Sequence, residues 1–103
     1  MASTPLSVDK SLEIARLRAF RDLSPKLKAF EHAALLEERL RGGKPDDERQ
    51  VSAPQISKFE VTGGRTPLPH GLTFEDWREA LVEWKRANGA TEAQIAPWIG
   101  VAA

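Results

Sequence analysis

Residues 72–103 read LTFEDWREALVEWKRANGATEAQIAPWIGVAA, and the first half of this stretch decides the fold class. Thr73 stands where a helix N-cap belongs. Asp76, three residues on, can return a hydrogen bond to the Thr73 N–H, the reciprocal arrangement of a capping box. Leu72 before the cap and Trp77 at the fourth helical position form a hydrophobic staple. Glu75 and Asp76 suit the positive end of the helix dipole, and Lys85 and Arg86 its negative end. Phe74, Trp77, Leu81 and Trp84 recur at spacings of three, four and three, a single apolar stripe. Asn88-Gly89 supplies the left-handed residue that ends a helix. The spacing predicts a helix over about 74–87. Glu79 and Glu83 are like charges four apart on it, which calls for a basic partner lying over them.

A second start follows at once. Thr91 and Gln94 repeat the capping-box spacing. Pro97 removes a helical hydrogen bond soon afterwards. A single turn is expected, followed by a 3₁₀ or extended tail that lays Trp98 and Ile99 on the core.

Towards the N-terminus the chain reads as two further helices, about 8–20 and 25–41. The apolar positions of the first include Val8, Leu12, Ala15 and Ala19, with Ile14, Leu17 and Phe20 alongside, a broad apolar side. Ser24-Pro25 reads as cap and first helical residue of the second, and Gly42-Gly43 ends it. The junction admits two distinct helices or one kinked helix. The second helix carries two stripes, Leu27–Phe30–Ala34 and Ala29–Ala33–Leu36–Leu40. A helix with one partner needs one stripe, so contact from two sides is expected, from the C-terminal helix of the same chain and from another subunit.

Residues 42–71 are long for a connection and contain GGKPDDERQ, SAP and TGGRTPLPHG. QISKFEV, with Ile56, Phe59 and Val61, can hold one short strand. The segment reads either as a solvated linker pinned by Ile56 and Phe59 or as an arm that embraces a partner.

The expectation is an all-α single domain over 1–103, with three main helices, a short C-terminal turn and an internal loop or arm. Its 103 residues suffice for one modest domain. With 41% hydrophobic residues the core is small and the stability margin thin. Cysteine is absent, which removes disulfides, thiolate chemistry and Cys-type zinc sites. No apolar run reaches membrane-span length, and no apolar signal core follows the N-terminus. A cytoplasmic protein without membrane attachment is therefore expected.

The chain carries 15 basic and 15 acidic side chains. Residues 1–41 hold eight basic and six acidic groups, residues 72–103 three and five. Such a balance gives little drive to wrap nucleic acid, although Arg16, Arg18, Arg21, Lys26 and Lys28 gather around the first helix junction. His32 and His70 have no ligand-spaced partner, so no metal is expected. Asp46, Asp47 and Glu48 lack the alternation of a calcium loop. The glycine pairs at 42–43 and 63–64 lack the rest of a phosphate loop. Ser52, Ser57 and Thr62 have no base that the sequence can identify. No catalytic residue and no cofactor are expected.

The segment TEAQIAPWIGV, residues 91–101, resembles the helix and turn that precede the recognition helix of bacterial helix-turn-helix proteins. Thr91, Ile95, Ala96, Ile99, Gly100 and Val101 match that pattern, while Pro97 departs from it. The resemblance implies a DNA-regulatory role if a recognition helix follows. The chain as given ends at Ala103.

The leading expectation is a non-enzymatic helical interaction module, an adaptor, regulator or inhibitor, acting as a homo-oligomer or on a protein partner. Its candidate interface residues are Phe30, Leu36, Leu40, Phe59, Trp77, Trp84 and Trp98. A DNA-associated regulator contacting nucleic acid through Arg16, Arg18, Arg21, Lys26 and Lys28 is the alternative. A small enzyme using His70 and loop carboxylates is a third reading.

Overall fold

Thr73 caps its helix as the spacing requires. Its side chain accepts from the Asp76 N–H at 3.1 Å, and the Asp76 carboxylate accepts from the Thr73 N–H at 2.9 Å. Such a cap contributes about 1 kcal/mol. The helix it starts, Phe74–Ala87, is the fourth in the chain.

The computed structural model describes residues 10–41 and 51–99. In order these form α1 (Ser11–Asp22), α2 (Ala29–Arg41), α3 (Ala53–Val61), α4 (Phe74–Ala87) and α5 (Glu92–Ile95). Short 3₁₀ turns occupy Pro69–Gly71 and Ala96–Trp98. The expected helix start around Val8, the GGKPDDERQ segment and the Gly100–Val101 turn lie outside the described residues. No strand occurs among the described residues. The all-α expectation holds.

The expected strand over QISKFEV is α3 instead. Ser52 and Gln55 form a capping box, with Pro54 in the first turn. Proline there gives up an N–H that the helix does not use. Ile56, Phe59 and Glu60 then face inward at helical spacing, and Val61 stays exposed. The helix ends at Gly63-Gly64, both at positive φ. Gly63 also lies against Ser11 of α1, leaving no room for a Cβ.

The second helix starts at Ala29 rather than Pro25. Its first turn is tied down by Glu31, whose carboxylate accepts from the Lys28 N–H at 2.9 Å. Ser24 and Pro25 belong to the bend after α1, which resolves the junction as two separate helices. Lys85 explains why that bend is held. Its Nζ donates to the carbonyls of Leu23 at 2.8 Å and Pro25 at 2.6 Å, and more weakly to Arg21 at 3.4 Å. Three ammonium hydrogens thus meet three carbonyls. The charge lies 4.6 Å from the Phe20 ring centre. Lys85 therefore serves the C-terminal end of α1, not only that of its own helix as expected. Burial pushes its pKa down, and Asp22 pulls it back up. Lys85→Met should keep the packing of the stem and lose the three bonds. A loss of about 2 kcal/mol is expected by urea unfolding, since bonds to charged groups contribute about 1.5–3 kcal/mol. An unchanged midpoint would mean that water replaces the ammonium.

The core gathers Ile14, Leu17 and Phe20 from α1, Leu36 from α2, Ile56 and Phe59 from α3, Trp77 and Leu81 from α4, and Ile95 from α5. In α1 the inward stripe is therefore Ile14–Leu17–Phe20. The broad apolar side expected is thus buried only in part: Leu12 is 75% exposed, and Ala15 and Ala19 are exposed too. In α2 the inward residues are Ala33 and Leu36, joined by Leu27 before the helix; Phe30 and Ala34 face solvent. α2 is indeed touched from two sides, and both contacts, with α3 and α4, come from its own chain. The C-terminal tail closes the fold as expected. Thr91 and Gln94 form their capping box, the Pro97 turn is 3₁₀, and Trp98 stacks on Phe20 with ring centres 5.7 Å apart.

Candidate functional site

Four helices each send one polar residue to a common point in the core. Arg21 comes from α1, His32 from α2, Glu60 from α3 and Trp77 from α4. Arg21 Nη1 donates to Glu60 Oε2 at 2.7 Å and Nη2 donates to Oε1 at 3.1 Å, a two-pronged ion pair. The Trp77 indole Nε1–H donates to Glu60 Oε2 at 2.9 Å. Arg18 Nε adds an ion pair to Oε1 at 3.2 Å from the more exposed side.

Arg21 Nη1 also lies 2.9 Å from His32 Nδ1. A guanidinium only donates, so Nδ1 is the acceptor and the ring proton sits on Nε2. Nε2–H in turn donates to the Trp77 carbonyl at 2.8 Å. The imidazole stacks on the Trp77 ring with centres 5.3 Å apart. Its pKa is lowered to about 4. Burial is the chief cause, the Trp77 carbonyl opposes it, and the Arg21 charge lowers it further. His32 is fully buried and neutral, with both ring nitrogens used.

This cluster has the residue types of an acid–base site without the access of one. Arg21, His32, Glu60 and Trp77 are all buried. Their polar atoms satisfy one another, which is how a core tolerates such groups. The cluster acts as a lock joining α1, α2, α3 and α4. Sequence reasoning did not assemble it. Its one signal was a charged residue on each inward stripe, Glu60 beside Phe59 and Arg21 beside Phe20.

The anticipated site residues divide accordingly. Leu36, Phe59 and Trp77 are taken up by the core and present no surface for docking in this fold. Phe30 is 61% exposed, while Trp84 and Trp98 are half-buried against the core. The side chain of Leu40 lies outside the described residues. Of the five cations considered for nucleic acid, Arg21 is buried and Arg18 is held by Glu60. Arg16, Lys26 and Lys28 remain exposed. His70 is exposed on its 3₁₀ turn, at φ 59°. Among the described residues no three His, Cys, Asp or Glu side chains come together as a metal site would require. No helix among them is long and apolar enough to cross a membrane.

An open groove lies at the surface. α2 and α4 flank a groove of about 440 Å³ lined by Leu35, Glu38, Arg39, Ala80, Glu83, Trp84 and Ala87. Its floor is apolar and its rim charged. Arg39 spans the two like charges of α4, 3.4 Å from Glu79 and 2.9 Å from Glu83. This is the basic partner that the i,i+4 glutamates required.

Comparison with protein-family models, with curated proteins and with solved structures finds no match to this chain. The fold and its sites therefore rest on the residues themselves.

Proposed function

We propose that the chain is a non-enzymatic protein–protein interaction module whose contact site is the α2–α4 groove. The observation that carries this reading is the groove's make-up: Leu35, Ala80 and Trp84 form an apolar floor under the charged rim of Glu38, Arg39 and Glu83. A partner helix laid into such a groove places an apolar anchor on the floor and meets the rim with polar groups. Trp is among the residues that most often dominate binding energy. The buried ionisable residues are committed to one another, which favours binding over chemistry as the use of the surface. An adaptor or regulator acting in the cytoplasm fits this reading.

A displayed library of amphipathic helical peptides, selected against the folded chain, tests it. Selected peptides should bind the wild type and lose about tenfold or more in affinity to Leu35→Glu and to Trp84→Ala, because each removes floor or anchor contact worth about 1.4 kcal/mol. Circular dichroism would check that both variants fold. Selection that enriches nothing, or binders indifferent to both substitutions, would sink the reading.

A further inference from the structure

The outer strip of α2 is complementary to itself. Lys26 and Lys28 lie exposed at its N-terminal end, and Glu38 lies exposed towards its C-terminal end. Phe30, Ala34 and Glu38 follow at intervals of four, one line along a helix. Phe30 is left largely in water with the Lys28 ammonium 6.0 Å from its ring centre. Ala34, at the midpoint, has the smallest side chain that still favours a helix and permits close approach of a neighbour. Beside the strip opens the groove floored by Leu35 and Trp84.

We infer that the occupant of this surface is a second copy of the chain, its α2 packed antiparallel across a two-fold axis near Ala34. This inference rests on the interaction reading above and names its partner. A two-fold axis requires one patch to complement itself. Reversing the strip brings Lys26 and Lys28 of one copy beside Glu38 of the other, twice over. It also carries each Phe30 towards the other copy's Leu35 and Trp84, an apolar anchor for an apolar floor. A parallel arrangement would set lysines against lysines and Glu38 against Glu38. The patch is one helix face and small, so the dimer belongs to the weak class and forms with rising concentration.

Sedimentation equilibrium from low micromolar to about millimolar protein tests the proposal, since the weak class of interface populates there. Wild type should pass from monomer to dimer. Exposed charge pairs are individually weak, but symmetry counts each one twice, so Glu38→Lys or Lys28→Glu should each weaken dimerisation about tenfold. The double variant Lys28→Glu/Glu38→Lys should return to within about threefold of wild type, because the pair is restored with its signs exchanged. Phe30→Ala should weaken the dimer at least as much as one charge reversal. All three substituted positions, Lys28, Phe30 and Glu38, face solvent, and unchanged melting curves would confirm folding. A monomer throughout overturns the proposal, as does a dimer indifferent to these changes or one that the double variant fails to restore. A monomer whose groove still takes the selected peptides would assign the groove to a different protein, leaving the interaction reading intact.

Discussion

Glu60→Ala is expected to unfold much of this protein's stability margin, costing about 3–5 kcal/mol, the range for breaking a buried ion pair from one side. A domain of this size has only about 5–15 kcal/mol in total. The carboxylate accepts two bonds from Arg21 and one from the Trp77 indole, and pairs with Arg18. Without it the Arg21 guanidinium stays in the core as an uncompensated charge, and the indole N–H loses its acceptor. Arg21 cannot swing to water easily, because Nη1 is also held against His32. Thermal and urea unfolding followed by tryptophan fluorescence would read the loss directly, since Trp77 reports on the cluster. The cost should be lower when the charge leaves with its partner. In Arg21→Met/Glu60→Leu neither desolvation cost remains, and replacements of this kind are often neutral or stabilising. Here recovery should be partial, because His32 Nδ1 and the Trp77 N–H still lack partners. A loss under about 1 kcal/mol for Glu60→Ala, the range of an exposed pair, would show that the guanidinium reaches water.

The same cluster explains which parts of the fold the sequence displayed. α4 was legible because every local device agreed: cap, staple, stripe, charges and terminator. α3 was concealed by its own function in the core. Read as a strand, Ile56, Phe59 and Val61 make a ragged alternation. Read as a helix, the inward positions are Ile56, Phe59 and Glu60, and a glutamate on the buried face makes the apolar stripe look too short. Ser52 and Gln55, with Pro54 between them, carry the start signal of α3, which a reading of QISKFEV as extended chain passes over.

The same masking affects α1 and α2. Arg21 and His32 stand on buried faces, so their helices show an inward side poorer in apolar residues than it is. Leu12, Ala15 and Ala19 widen the apolar side of α1, and periodicity alone does not say which part of it faces in. Lys85 is hidden for a different reason. Its stem is long enough to cross the core and deliver an ammonium to α1, a contact between positions about sixty residues apart. Local sequence holds no trace of that. The groove was legible only in part. Trp84 was singled out as a surface candidate, whereas Leu35 became part of a floor only when α4 was laid beside α2.

Acid should weaken the fold through His32 as the pH falls below about 6.5. In the unfolded chain the ring takes a proton near pH 6.5, whereas in the folded chain it does so only near pH 4. Between these values the unfolded state binds more protons, so stability falls as pH is lowered from about 6.5 and this contribution levels off below about 4. Stability is thus fully present above 6.5, the reverse of a histidine that gains an acidic partner. Integrated over the whole window the loss is about 3 kcal/mol, and about 2 kcal/mol of it has appeared by pH 5. The geometry supplies the reason. Protonation would place a hydrogen on Nδ1, where Arg21 already donates, setting two donors and two positive charges face to face. Glu92 also binds its proton less readily than usual, chiefly through its hydrogen bond to Arg86, but its effect begins below pH 4.5 and lies outside a comparison made at pH 5. Urea unfolding at pH 7.5 and pH 5 would read the difference, with His32→Gln as the control. That variant should be less stable than wild type at pH 7.5, because an amide cannot repeat both ring contacts, and it should lack the 2 kcal/mol decline attributed to His32. Nitrogen-15 spectra of the imidazole provide a second readout independent of stability: neutral ring, proton on Nε2, unchanged through pH 5. An imidazolium signal already dominant at pH 5.5 would mean that water enters the cluster and that the lock is open in solution.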